Sequence, residues 1–320
     1  VKRKLSVAAV QAKSENGEVS ANLAGAAALV ERAANGGAEL VLCPEFLAAG
    51  YVYHASIWRS AEPRRGPTER WLAEAAARHR IFIGASYLEA RGKDFFNTFT
   101  LVGPDGEVRG RVSKESLPAF EGFYFKSCVA PKIIDTELGR IAVGICQDNH
   151  TARFMSRVVA DGADLVLMPH SGPCVRDPLG LIRRSTRAQL GAIASYYARA
   201  FGVPVVMVNK ANAGETRSPI PVVPFARMRM RFPGLSTICA AGGDVLEQLA
   251  DEEGVAIADV EIDEIRAKKK KPDVPSGYWS NPPTVVPRLS GAAFIALELL
   301  GKAAYATSLA RRRAARAVLP

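Results

Sequence analysis

A thiol, two carboxylates and a lysine are the groups of this 320-residue chain best suited to covalent chemistry. Cys146 follows the apolar run 141–145 within LGRIAVGICQDNH and precedes the polar run Gln147-Asp148-Asn149-His150. The apolar run reads as a short buried strand, and a helix is expected over 154–163. A cysteine at the C-terminal end of a strand, facing a turn into a helix, stands where α/β proteins place ligands. Backbone N–H groups and the helix dipole there can depress a thiol pKa and hold an oxyanion. Burial of a small apolar residue accounts for the same pattern without any chemistry.

Other strand ends carry polar residues too. Glu45 follows LVLCP directly, where apolar neighbours would raise a carboxyl pKa and fit it to take a thiol proton; a capping or surface glutamate is the alternative. Lys114, in GRVSKESLP, ends a strand before a proline-bearing loop and could donate to a developing oxyanion, or simply be a solvated strand-end charge. Glu121 lies among aromatics in AFEGFYF. A carboxylate in that setting needs a partner, and Lys114 is the nearest candidate. His170 and Asn209 end two further apolar runs. Polar residues at several strand ends make the pattern of a site built at one edge of a sheet.

The elements that must position these residues alternate strand and helix. Strands are expected over 5–12, 40–43, 81–90, 95–102, 108–114, 141–145, 165–168, 203–208, 235–241 and 255–262. Helices are expected over 20–35, 68–79, 154–163 and 181–200, with a C-terminal helix from about 290. Turns are marked by Gly103-Pro104-Asp105-Gly106 and Gly242-Gly243-Asp244. The alternation, with an antiparallel patch in the middle, predicts a mixed-sheet α/β domain covered by helices. We expect this domain over 1–265, a basic, proline-bearing linker over 266–289, and a helical tail over 290–320. The segment 219–231, rich in proline, apolar and basic residues, is expected as a lid over a pocket or an interface strand.

Three motifs, in order and 69 and 32 residues apart, carry a resemblance: LVLCPEF around Glu45, GRVSKESLP around Lys114 and GRIAVGICQD around Cys146. The chain resembles the nitrilase superfamily of carbon–nitrogen hydrolases over about residues 4–262, and Glu121 matches the second glutamate such enzymes place near the lysine. The resemblance implies a four-layer αββα sandwich, assembly into homo-oligomers, and no metal or organic cofactor. It implies that Glu45 deprotonates Cys146, that Lys114 and the backbone N–H of Gln147 stabilise the tetrahedral intermediate, and that Glu121 holds Lys114. Hydrolysis of a linear amide or an N-carbamoyl compound is the expected reaction. A nitrilase, acyl transfer to an amine, and a binding or regulatory protein that keeps the fold without turnover are its rivals. Two departures motivate the last: Gln147-Asp148 replaces the aromatic residue and acid common after the cysteine in amidases, and Arg153-Phe154 comes three positions late. His170 stands where relatives contact substrate, and a structural histidine explains it equally. His150, His170 and Cys174 match no standard zinc spacing.

Charge restricts the partners. The net charge is +10, and the basic runs at 268–271 and 311–316 supply eight of it, so a nucleic-acid-binding body is not indicated. Five scattered cysteines indicate a reducing compartment, and a cytoplasmic location is expected. The tail, apolar nearly all round, carries Glu298 and Lys302 at helical i,i+4 spacing, which suits an exposed stripe rather than a membrane span. The tail is therefore expected to pack on a partner subunit or to lie on an anionic membrane surface.

Overall fold

A computed structural model describes residues 2–263 and 287–318. The chain runs β1 (Lys2–Gln11), α1 (Val19–Asn35), β2 (Leu40–Leu42), α2 (Pro67–His79), β3 (Phe82–Arg91), β4 (Asp94–Val102) and β5 (Val108–Ser113). It continues with β6 (Ile133–Thr136), β7 (Gly139–Val143), α3 (Ala152–Asp161), β8 (Leu165–Pro169), β9 (Cys174–Val175), α4 (Leu181–Phe201) and β10 (Val205–Val208). There follow β11 (Thr216–Ile220), β12 (Val223–Arg231), β13 (Thr237–Cys239), β14 (Val245–Gln248), β15 (Gly254–Asp263), α5 (Pro287–Thr307) and α6 (Leu309–Val318).

Two six-stranded sheets, ordered β15-β1-β2-β3-β4-β5 and β14-β13-β10-β8-β7-β6, repeat one plan. In each, three central strands are parallel (β1, β2, β3 and β7, β8, β10) and the flanking strands are antiparallel. Strand alternation divides the apolar residues between two faces. Val7, Leu40, Leu42, Leu165, Leu167 and Val206 meet in the core between the sheets. Ala8, Val10 and Val41 turn outward under α1 and α2, while Val166, Met168, Val205 and Met207 turn outward under α3 and α4. The layers are thus helices, sheet, sheet, helices, the αββα sandwich expected.

Three expectations are refined. The segment 219–231, expected as a lid or an interface strand, is largely strand: β11 and β12 form a hairpin that joins β9 in a third, small sheet. The C-terminal helix is two helices, α5 beginning at Pro287 inside the expected linker, and α6 beginning beyond Ser308. The tail also packs on its own chain. Gly301 of α5 lies on the turn Glu121–Phe123, where a Cβ would sit 2.8 Å from the Gly122 carbonyl carbon. The Tyr305 hydroxyl accepts from Phe95 N at 2.8 Å, and buried Arg311 pairs with Asp94. Glu298 and Lys302 do pair, at 2.6 Å, but Glu298 is buried against that turn rather than exposed. The rest of the linker, 266–286, and its basic run 268–271 lie outside the described residues.

Candidate active site

The ends of the central strands converge. Glu45, three residues beyond β2, donates its N–H to the carbonyl of His170 (3.2 Å), and His170 N–H donates to the Val208 carbonyl at the end of β10 (2.7 Å). Cys146 opens a 3-10 turn, Cys146–His150, three residues past β7. The helix expected over 154–163 is α3, which begins at Ala152, capped by Thr151. Cys146 itself holds a left-handed φ of 48°. For a residue with a side chain that conformation costs about 1–3 kcal/mol and is typical of functional sites. Gly144 lets the chain turn here, because a Cβ would collide with the Asn149 amide and the Phe154 ring.

Asp148 anchors this turn. Its Oδ1 accepts from the N–H groups of Glu115 (3.2 Å) and Ser116 (2.8 Å), and its Oδ2 from buried Lys132 (3.1 Å). Glu115 in turn accepts from Arg153 and Arg157 of α3 at 2.7 and 2.6 Å. The segment carrying Cys146 is thereby fixed against the segment carrying Lys114.

Lys114, Glu45 and Glu121 are wholly buried together. Lys114 Nζ donates to Glu45 Oε1 at 2.7 Å and to Glu121 Oε1 at 2.8 Å. Glu45 also accepts from the Asn97 amide and from Ser171 N–H, both at 2.7 Å. Glu121 accepts from the Tyr51 hydroxyl at 2.7 Å, and Tyr51 is linked to Tyr53 at 2.9 Å. Burial works against the Lys114 cation, but the charges of Glu121 and Glu45 outweigh it and hold its pKa well above the usual value. Burial, reinforced by Glu45 and only partly offset by Lys114, lifts the Glu121 carboxyl to about 7. The Cys146 thiol is pushed well above its ordinary pKa, first by burial and then by Glu45. The turn and helix dipole could have depressed this pKa; desolvation outweighs them and favours the neutral thiol.

A cavity of about 390 Å³ opens over Cys146, and Gln147, His170 and Ser171 also line it. Gln147 Nε2 and His170 Nδ1 are buried with no hydrogen-bond partner among the described residues, as is Glu121 Oε2. His170 Nε2 faces the Asn149 amide nitrogen at 2.9 Å. Since that nitrogen donates, the ring proton belongs on Nδ1, and burial keeps the ring pKa well below 6.5.

Six of the residues singled out from sequence (Glu45, Lys114, Glu121, Cys146, Gln147 and His170) therefore gather at one place. Asn209 does not reach the cavity; its amide ties Gly172 to Gly234. The sequence reading missed Tyr51, Asn97, Asp148 with Lys132, and Ser171. Asn97 had a visible signal, a lone amide within the apolar strand DFFNTFTLV. The Asp148–Lys132 pair had none, because nothing in the spacing of the two residues relates them.

The carbon–nitrogen hydrolase family model matches residues 6–270. N-carbamoylputrescine amidase of Arabidopsis thaliana is 24% identical over 263 residues, covering 79% of this chain and 85% of that protein. The chloroplastic omega-amidase of the same plant is 31% identical over 174 residues, covering 49% of this chain and 47% of that protein. Among solved structures, a carbon–nitrogen hydrolase from Helicobacter pylori G27 superposes with a TM-score of 0.69 at 19% identity, over 83% of this chain and 92% of that one. A mutant amidase from Nesterenkonia sp. AN1, of the nitrilase superfamily, gives 0.66 at 20% identity, over 83% and 94%.

Proposed function

Since the chain belongs to the carbon–nitrogen hydrolase family of the nitrilase superfamily, we propose that it hydrolyses a linear amide or N-carbamoyl compound through a thioester on Cys146. The observation that carries this is one buried ammonium, Lys114, bridging two buried carboxylates beside a cysteine held at φ 48°. Glu45 takes the thiol proton as sulfur bonds to the substrate carbonyl carbon. The oxygen becomes an oxyanion, stabilised by Lys114 and the Gln147 N–H. Glu45 returns the proton to the leaving nitrogen as the carbon–nitrogen bond breaks, leaving the thioester. Water, deprotonated by Glu45, then adds to the thioester; the acid departs and Cys146 regains its proton. Glu121 holds Lys114 in place throughout.

Ammonia release from amides, N-carbamoyl compounds and nitriles, with intact-mass detection of an acyl adduct, tests this reading. Turnover and adduct should both vanish in Cys146→Ala. A Cys146→Ala protein retaining full activity overturns the mechanism. Alkylation of Cys146 by iodoacetamide with the pH dependence of an ordinary thiol, together with no turnover, would mark a binding protein instead.

We propose also that copies associate through the outer face of α5, where Ile295, Leu299 and Leu300 are 39%, 62% and 51% exposed. Leu299→Glu/Leu300→Glu should lower the mass seen by light scattering. An unchanged mass with loss of salt-sensitive binding to anionic vesicles would assign the face to a membrane surface. No described helix is long and apolar enough to cross a membrane.

A further inference from the structure

The charged residues around Cys146 are all spoken for, and none lines the cavity. Lys114, Glu45 and Glu121 are wholly buried and paired with one another. Among the described residues lining the cavity there is no Asp, Glu, Lys or Arg. This is not for want of charge nearby. On β12 the sequence Arg-Met-Arg-Met-Arg, 227–231, alternates: Met228 lines the cavity, whereas Arg229 and Arg231 line a separate cleft, where Arg229 pairs with Glu215. On α4 the cavity-facing stripe is Ile182, Ser185, Thr186, Gln189 and Leu190, at helical i, i+3, i+4, i+7 and i+8 spacing, while Arg183 and Arg184 turn to that other cleft.

The two ends of the cavity also differ. At the Cys146 end lie the unpartnered buried nitrogens Gln147 Nε2 and His170 Nδ1. Buried polar atoms require partners, and a substrate carboxamide seated over the sulfur would supply them. Elsewhere the walls are mostly apolar, with Phe120, Ile182, Leu190, Met228 and, from α5, Leu297, and their polar members Ser185, Thr186 and Gln189 carry no charge. A charged group carried into those walls would be desolvated with no counter-charge.

We infer that the substrate is a primary amide whose acyl part is uncharged and apolar. The inference rests on the reading of Cys146 as the nucleophile. It separates this chain from a chemistry such as that of N-carbamoylputrescine, whose free end is an ammonium.

The test is kcat/KM for ammonia release from acetamide, butanamide, hexanamide and heptanamide, against 6-aminohexanamide and the monoamide of adipic acid. We expect kcat/KM to rise with chain length, by up to about fourfold per methylene. The two charged amides should fall roughly a hundredfold or more below heptanamide. Ile182→Arg, at a half-exposed position that tolerates a polar residue, should raise the adipic monoamide relative to heptanamide at least about tenfold. Charged amides turned over as well as heptanamide, or a flat response to chain length, overturn the inference while ammonia release keeps the hydrolase reading. No ammonia from any amide, with no acyl adduct on Cys146, overturns the hydrolase reading itself.

Discussion

Tyr51 donates one of the two hydrogen bonds that Glu121 Oε1 accepts, the other coming from Lys114. The phenol therefore helps set where this carboxyl titrates. Burial lifts Glu121 to about 7, so as the pH falls through 7 the carboxylate takes up a proton and Lys114 loses a counter-charge. Turnover should fall along that limb. Removing a donor to a carboxylate disfavours its charged form, so Tyr51→Phe should move the acid limb of kcat/KM upward by about one unit. A limb unmoved in Tyr51→Phe would remove Glu121 from the profile. The residue types were legible in sequence because each stood alone at the end of a strand: a cysteine and a glutamate after apolar runs, and a lysine before a proline-bearing loop. Tyr51 was not, because a tyrosine in a loop carries no mark of the carboxylate it will meet 70 positions on.

The helix α5 bears on the same carboxyl from outside. A Cβ on Gly301 would lie 2.8 Å from the Gly122 carbonyl carbon and 2.9 Å from Phe123 N, and one on Gly122 would lie 3.1 Å from the Glu298 carbonyl oxygen. This backbone-to-backbone approach seats the turn that carries Glu121, while Leu297 of the same helix faces the cavity. Gly301→Val should lift α5 off the turn. We expect kcat to fall about tenfold or more, with global stability down by about 1–3 kcal/mol, the usual cost of overpacking. Measuring kcat beside thermal denaturation separates the two; a normal kcat would show that α5 does not position Glu121. The break between α5 and α6 had a legible signal. Ser308 caps α6, its hydroxyl accepting from Arg311 N at 3.2 Å, but the alanine-rich pattern continues across it and masks the stop. The β11–β12 hairpin was half legible: an interface strand was one expectation for 219–231, but Pro219, Pro221 and Pro224 argue against the paired strands that tertiary contacts nevertheless form.

The whole molecule is two similar half-sandwiches whose strand ends must meet correctly. Strand–helix alternation made each half legible, because alternate residues of β1, β2, β8 and β10 face the two cores. How the two sheets lock together was not legible, because many of the locking bonds end on backbone groups, and side chains such as Gln11, Asp148, Lys132 and Lys210 carry no mark in the sequence of the partner they reach. Ala211 N–H donates to the Ala12 carbonyl at 3.1 Å and Asn212 N–H to the Asp251 carbonyl at 2.7 Å. Between them and the site, Lys210 just beyond β10 donates its Nζ to the Phe46 carbonyl, just past β2 in the other sheet, at 3.1 Å. Phe232 offers its ring face at 5.6 Å. Lys210 is almost wholly buried, and burial brings its pKa down from 10.5 to about 7, opposed only by the charge of Glu45. Between those values the unfolded chain binds a proton that the folded chain does not, so stability rises with pH across the window. Below about pH 7 the lysine is charged in both states and the full cost of burying the cation is present. Lys210→Met removes that cost and the hydrogen bond together. Its melting temperature should therefore gain most on the wild type near pH 6.5, and the difference should shrink by on the order of 1 kcal/mol per pH unit towards pH 9.5. Thermal denaturation of the two proteins across that range decides the matter; a difference independent of pH would mean that Lys210 keeps one protonation state, and that the tie between the sheets is an ordinary hydrogen bond.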